Sequence, residues 1–404
     1  MTDRNKKLLA GLRIIDLTDQ KGNACTKLLA DLGARVIKIE CPDGGDAARH
    51  SPPFTAHNAS PENSLSFYYN NTGKLSITLD IRHVRGQQIL LDLIKQNDVI
   101  VESFSPGYLE GLKLGFEHLR YSNPNVILTS ITGFGQTGTR RSYQTCDLVA
   151  EAFGGQMSVT GNASPLKHYG EQSYLTASLF AAIGILLAVR KRRMTGRGDH
   201  IDISLQEAVA STLEHVMVRF FYDNIVAARQ GPLHWDHLFH TLPCKDGFIQ
   251  ITLFDKWETL VEWMDSEGMA RDLTEKKYLD ETVRRGHLNH IISVLEKWTR
   301  THSKKELFDL GQLMNFPWAP VHSPREVVES PQLIERDFFQ KTASPQTEKS
   351  LIKKCPRRPF ILHPSGPYPI EPPPWPGRDN HSIYHQELGI PLEELMDLSN
   401  LGII

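Results

Sequence analysis

Residues 171–208 read EQSYLTASLFAAIGILLAVRKRRMTGRGDHIDISLQEA, and their pattern passes from a lead-in loop to a long helix, a basic turn and a strand. Leu175, Leu179, Ile183, Leu186 and Val189 recur at helical spacing, so one apolar stripe is expected to be buried. The stripe runs into Arg190, Lys191, Arg192 and Arg193, whose charges suit a helix C-terminus. Thr195-Gly196-Arg197-Gly198 then breaks the helix, and His200-Ile201-Asp202-Ile203-Ser204-Leu205 alternates like a strand. Helix, turn and strand in this order belong to an α/β fold.

The chain before this segment repeats the theme. Residues 12–18, LRIIDLT, form a short apolar run that reads as a buried strand. NACTKLLADLGA, residues 23–34, has helical periodicity with Gly33 as its stop, and RVIKIE is a second strand. Strand, helix and strand within about 30 residues make a βαβ unit, so a parallel sheet is expected. KLSITLDI, DVIVESF and NVILTSIT continue as strands, with RGQQILLDLIKQN and GFEHLRYSN as helices. The first 205 residues read as one doubly wound unit.

Past about Glu214 the texture changes. A Cys244-Lys245-Asp246-Gly247 turn sits between short strands and is followed by a Trp-rich amphipathic helix. LNHIISVLEKWTR and KKELFDLGQLM are two more helices, and the prolines of FPWAPVHSPREVVESPQL mark a crossing between domains. EPPPWPGRDN, residues 371–380, is too proline-dense for regular structure and reads as a stiff linker before a last helix, roughly Ser382 to Leu401. The expected domains are a large Rossmann-like one begun by residues 1–215 and completed by residues 326–404, and a smaller central α+β domain, residues 216–325.

Composition narrows the partners. With 404 residues there is chain for one large or two medium cores, and 45 Lys and Arg against 47 Asp and Glu give a net charge of -2. No global field argues for nucleic acid or an acidic membrane. The five cysteines are scattered and form no CxxC pair, which favours free thiols in a reducing compartment. The basic start MTDRNKKLLAGLR has no apolar core of signal-peptide length behind it, and no run of about 18 apolar residues marks a bilayer span. A cytoplasmic protein is expected.

Three constellations have chemical readings. Gly133-Phe134-Gly135-Gln136-Thr137-Gly138 spells GxGxxG after a strand, but TRRSYQTCD follows it, and a dinucleotide fingerprint needs a helix opening there. A glycine turn beside a cleft is the better reading. His234, His237 and His240 share a three-residue spacing, yet Pro232 and Pro243 disfavour a regular helix, so a packed loop is expected and no metal. No GxSxG and no recognisable Cys/His context marks a hydrolase or thiol catalyst.

The quoted string GILLAVRKRRMTGRGDHIDISLQEA resembles the central signature of the family III CoA-transferases, the group of formyl-CoA and carnitine CoA-transferases. GLRIIDLT, LLADLGARVIKIECPDGGDAAR, KLSITLD, DVIVESFSPG, NPNVILTSITGFGQTG and CKDGFIQI are similar to family strings in the family's order. The resemblance implies an interlocked dimer of ring-like subunits that share active sites, and CoA or an acyl-CoA as substrate. Lys38, Lys74, Arg140 and Arg141 lie at strand ends or in loops after strands, where α/β folds place ligands, and with Phe104 they are candidate CoA contacts, the cations suited to charge-assisted hydrogen bonds with phosphate; the alternative for each cation is a solvated surface charge.

In that family an aspartate before the long helix attacks the acyl-CoA thioester. An ungapped count from Thr195 and Gly196 puts Tyr174 at its position, and the nearest carboxylate is Glu171. Other departures accompany this one: Ser103 and Ser105 replace an amide and a cation beside the nucleotide site, Asn23-Ala24 replaces Gly-Pro, and His234, Trp235, His237 and His240 stand where some members have a glycine-rich lid. The resemblance therefore implies a non-catalytic subunit of a heteromeric CoA-transferase, with a homologous aspartate-bearing subunit as partner. It is similar in this respect to the nucleophile-lacking subunit of the benzylsuccinate CoA-transferase of anaerobic toluene degradation, which takes CoA from succinyl-CoA. Two alternatives stay open: an active homodimeric CoA-transferase or acyl-CoA isomerase using Glu171, and a regulatory protein that holds CoA without chemistry.

Overall fold

Ile14 and Ile15 are neighbours in strand β1 (Arg13–Leu17), and the pleat sends them to opposite faces of one sheet. The structure, a computed structural model, describes residues 7–55, 60–341, 354–362 and 371–404, so residues 1–6 of the basic start lie outside it. β1 is joined by β2 (Arg35–Glu40), β3 (Leu75–Thr78), β4 (Val99–Glu102), β5 (Ile127–Thr132) and β6 (His200–Ser204). Their order is β3-β2-β1-β4-β5-β6, and every pairing is parallel. The chain winds outward from β1 to β3 and then returns to β4 on the other side, so the strand order reverses between β1 and β4.

Both faces are covered, as a parallel sheet requires. Ile14, Val36, Val99 and Ile127 pack with Leu29 of helix Asn23–Asp31 and with the long helix Gln172–Thr195. Ile15, Ile37, Ile100 and Leu128 pack with helix Val84–Lys95 and with Ile383, Leu398 and Ile403 from the end of the chain. Each of these fully buried side chains contributes about 1.5–3 kcal/mol of transfer free energy.

The long helix buries its expected apolar stripe only toward its C-terminal end, where Val189 is buried and Leu186 packs against the same core. Leu175, Leu179 and Ile183 are 42%, 46% and 54% exposed, while Ala177, Ala181, Ile185 and Ala188 are buried with Tyr174. Small side chains let the helix axis approach the sheet closely, so alanines take most of the inner face while Leu175, Leu179 and Ile183 are left outside. By length and apolar composition this helix could cross a bilayer, but half of that stretch is buried inside the fold. Gly196 closes it at φ +68, and Gly198 lies so close to β5 that a Cβ there would sit 1.8 Å from the Val126 carbonyl oxygen. The basic end is anchored by Arg192 on Asp98 at 2.9 Å and by Lys191 on Asp199 at 2.8 Å.

Residues 371–380 do more than link. β3 is an edge strand, and its free backbone groups would invite another chain. Asp379 Oδ2 accepts from Ser76 N at 2.8 Å and Asn380 Oδ1 from Thr78 N at 3.0 Å, while Asp379 N donates to Ser76 O at 2.9 Å. The final helix is shorter than its sequence pattern implies: a π-helical turn, His381–Glu387, ends at Gly389, and Leu392–Asn400 forms the helix proper.

Contacts divide the chain into two units, residues 1–156, 167–221 and 332–404, and residues 157–166 with 222–331. The excursion 157–166, read from sequence as part of the large domain, belongs to the smaller unit. That unit holds an antiparallel sheet of β7 (Phe239–Cys244), β8 (Gly247–Thr252) and β9 (Ala319–Pro320). Trp263, Trp298 and Trp318 form its centre, and their indole N–H groups are satisfied by Glu267, Glu267 and Thr252 at 2.8, 2.7 and 2.9 Å. Buried indoles need such partners.

Asp379→Ala removes one acceptor from the edge of β3 and leaves Ser76 N unpaired. The expected cost is about 1–2 kcal/mol, read as a lower urea midpoint without a change in slope.

Candidate active site at the switch point and the long helix

The ends of β1, β2 and β3 stand on a buried charge network. Asp16 accepts hydrogen bonds from Thr18 N at 2.9 Å, Thr18 Oγ1 at 2.6 Å, Thr26 Oγ1 at 2.7 Å and Lys74 Nζ at 2.9 Å. Lys74 also donates to Asn71 Oδ1 at 2.7 Å. Lys38 reaches Thr18 O at 2.8 Å, Asn23 Oδ1 at 3.0 Å and Asp46 Oδ2 at 2.6 Å. Burial opposes ionisation of Asp16, but Lys38 and Lys74 outweigh it and hold the carboxyl far below the usual range. Asp46 is lowered in the same way, against its burial, chiefly by Lys38. Lys38 and Lys74 are thus fully buried and committed to internal carboxylates. Both ammonium groups turn inward from the strand ends toward these carboxylates.

Above this network a crevice of about 310 Å³ opens where β1 and β4 diverge. Its walls include Thr18, Asp19, Glu40, Asp46, Arg82, Ser103, Phe104 and Tyr108. In open α/β sheets ligands sit in this crevice, beyond the carboxyl ends of the strands. Ser103 ties the two strand ends together: its hydroxyl donates to Asp19 Oδ1 and accepts from Asp19 N, both at 2.9 Å. Phe104 packs on Tyr108 with ring centroids 4.7 Å apart and forms an apolar wall. Glu40 and Arg49 form a buried bidentate pair beneath, at 2.6 and 2.7 Å. Arg140 and Arg141 are exposed on the loop after β5, where Arg140 lies over the Phe153 ring at 5.3 Å.

The GxGxxG loop makes no dinucleotide turn. No helix opens at Gly138; the next one is Asp147–Phe153, and Gln136 N is spent on the Asp202 carboxylate at 2.9 and 3.0 Å. In the smaller unit His234 pairs with Asp236, His237 occupies the left-handed region at φ 65, and His240 Nδ1 faces Thr241 O at 2.9 Å. His234 and His237 lie in the turn before β7 and His240 within the strand, each with its own contacts.

At the N-terminus of the long helix, Tyr174 is buried and its hydroxyl accepts from Asp147 N at 3.0 Å. Burial drives the phenol well above its ordinary pKa, with Glu171 and Asp19 adding to the effect. Asp147 is itself buried; its Oδ1 takes Ser173 N at 2.9 Å and Ser173 Oγ at 2.7 Å, and Lys167 Nζ lies 2.6 Å from Oδ2. Glu171 is exposed at the helix cap, and its carboxyl is raised by partial desolvation and by Asp147. A neutral phenol held in a packed core offers no attacking carboxylate. Asp147, Ser173 and Lys167 were not singled out from the sequence, because only the fold brings the loops 146–147 and 167–174 together.

The sequence profile of CoA-transferase family III matches residues 9–380. The chain belongs to this family. Subunit BbsE of the succinyl-CoA:(R)-benzylsuccinate CoA-transferase of Thauera aromatica is 32% identical over 339 residues, covering 81% of this chain and 82% of the relative. The succinyl-CoA:mesaconate CoA-transferase of Haloarcula hispanica is 32% identical over 353 residues, covering 85% and 87%. Among solved structures, a CaiB/BaiF family protein from Brucella suis superposes with a TM-score of 0.83 at 26% identity, covering 94% of this chain and 99% of that one. Members of the family act on CoA thioesters, so the crevice and the helix terminus are the places where this chain's chemistry must be sought.

Two outcomes test the electrostatics of this family member. Asp16→Ala strips Lys74 of its counter-ion inside the fold and is expected to cost about 3–5 kcal/mol in urea unfolding. Glu102, buried at the end of β4, is pushed up to about 7 by its burial, with Glu110 adding and the Phe104 N–H at 2.7 Å opposing. Because its folded pKa lies above the unfolded one, it erodes stability as pH rises through that window. Glu102→Gln is expected to stabilise by roughly 3 kcal/mol at pH 8, with the gain shrinking by pH 5.

Proposed function

We propose that this chain is the nucleophile-lacking subunit of a heteromeric family III CoA-transferase. The observation that carries the reading is Tyr174: at the ungapped position of the family's aspartate stands a phenol that is buried, neutral and bonded to the Asp147 backbone. In the exchange reaction a carboxylate oxygen attacks the thioester carbonyl, the carbon–sulfur bond breaks, and CoA leaves as thiolate with a mixed anhydride remaining. A homologous subunit with an aspartate supplies that oxygen. This chain contributes the complementary half of the assembly, and the partner binds most of the CoA.

The outward stripe of Leu175, Leu179 and Ile183 supports a partner, since a half-exposed apolar ridge on a core helix is costly in water. Succinyl-CoA is the donor we assign, because the names of both close relatives carry it, and benzylsuccinate is the candidate acceptor through the likeness to BbsE. Any CoA this chain holds lies in the β1/β4 crevice, with Phe104 beside it and Arg140 and Arg141 for the phosphates.

A second reading rests on Glu171. Its carboxyl is exposed one turn from Tyr174's position and is made more basic by its surroundings, so a shifted loop would turn it into a relocated nucleophile.

CoA exchange between succinyl-CoA and labelled succinate separates the readings. The isolated chain is expected to be silent, and co-expression with an aspartate-bearing homologue to give activity that survives Glu171→Gln. Exchange by the chain alone, abolished in that variant, would establish the relocated nucleophile instead. Tyr174→Phe is expected to lower stability by about 1 kcal/mol while leaving the pair's exchange rate unchanged; a large loss of rate would give the phenol a chemical role.

A further inference from the structure

Three adjacent strands bring together a carboxyl, a hydroxyl and an imidazole. Glu102 on β4 is the register partner of Ser130 on β5, and His200 opens the edge strand β6 beside them. The buried carboxylates Asp46, Glu40 and Asp16 each hold a cation, respectively Lys38, Arg49 and Lys74. Glu102 is buried as deeply but forms no ion pair among the described residues; it meets the Phe104 N–H at 2.7 Å and the Ser130 hydroxyl. A buried acid without a counter-ion keeps its proton toward neutral pH.

Ser130 is the joint of the chain, with its oxygen 2.9 Å from His200 Nε2 on one side and the Glu102 carboxyl on the other. A hydroxyl has one proton to give, so it cannot donate to both neighbours at once. With Glu102 protonated, the carboxyl donates to Ser130 Oγ, Ser130 donates to Nε2, and the ring hydrogen of neutral His200 sits on Nδ1. With Glu102 ionised, the carboxylate accepts from Ser130, whose oxygen then accepts from an Nε2–H. Passing from the first state to the second, Nδ1 gives a proton to water and Nε2 takes one up, so the chain loses a single proton in all, that of Glu102. The ring is stacked on Phe116 with centroids 5.6 Å apart, which holds Nε2 toward Ser130. Burial lowers the His200 pKa, with Asp202 and Glu110 opposing, so the imidazole is neutral where Glu102 titrates. The other charges facing the chain act through space: Glu110 on both groups, Lys21, already paired with Asp19, on Glu102, and Asp202, engaged by Gln136 N, on His200.

From this arrangement we infer that Glu102, Ser130 and His200 form a pH-sensitive switch, in which the protonation of the carboxyl that holds the Phe104 wall of the crevice sets the tautomer of an imidazole at the edge of the sheet. The device lies wholly within this chain and needs neither a partner subunit nor bound CoA, so it stands or falls separately from the proposed function.

Nitrogen NMR of the full chain labelled with 15N-histidine tests it, with His200→Gln identifying the signals, since a ring nitrogen that bears hydrogen resonates far from one that does not. The expected result is the Nδ1–H tautomer at about pH 6 and the Nε2–H tautomer at about pH 8, with one midpoint near neutrality. Glu102→Gln should hold the Nδ1–H form throughout, because its amide oxygen takes the Phe104 N–H and its amide nitrogen can only donate to Ser130. Ser130→Ala cuts the chain and should also remove the pH dependence, so the test survives if either variant does not fold. A His200 tautomer that stays constant in the native chain overturns the inference, as does a change that persists in Glu102→Gln or in Ser130→Ala.

Discussion

The Asp16–Lys74 ion pair is the interaction on which the rest of the large unit depends. It lies at the carboxyl end of β1, is wholly buried, and is tied through Asn23, Lys38 and Asp46 to β2 and to the first helix. Two buried cations and two buried carboxylates neutralise each other, and hydroxyls of Thr18 and Thr26 satisfy the remaining lone pairs. Such a network is no richer in free energy than a well-packed apolar core, but it tolerates only one arrangement of its members. That arrangement sets the height and direction of the β1 and β2 loops, and hence the floor of the crevice.

The long helix divides its surface between two tasks. Its alanine side lets the backbone settle on the sheet, and its leucine side faces away from the unit's own core. A chain of this size has no need to leave so much apolar ridge uncovered. The same helix positions Tyr174 and Ser173 against Asp147, and this packing buries the phenol.

How much of this was legible in the sequence follows from the range of the forces involved. All six parallel strands were readable, because β-branched runs such as RVIKIE and VIVE are local signals that burial on both faces enforces. The inward face of the long helix was legible only at Leu186 and Val189; toward the N-terminus close helix–sheet packing selects alanine over leucine, a preference that periodicity does not carry. The pairing of Lys38 and Lys74 was not legible for a related reason: a cation at a strand end says nothing of its partner until the fold places Asp16 and Asp46 beside it. Asp147 and Lys167 were not legible, since their roles arise where distant loops meet.

The clasp of Asp379 and Asn380 on β3 gives the order of synthesis a structural weight. Residues 75–78 leave the ribosome early, but the side chains that occupy their outer backbone groups are some 300 positions behind them. Until those residues are made, the edge of β3 keeps unpaired N–H groups, the kind of surface that recruits strands from other chains. Residues 379 and 380 therefore act as an internal chaperone, arriving some 300 positions after β3 to shut the seam it leaves ajar.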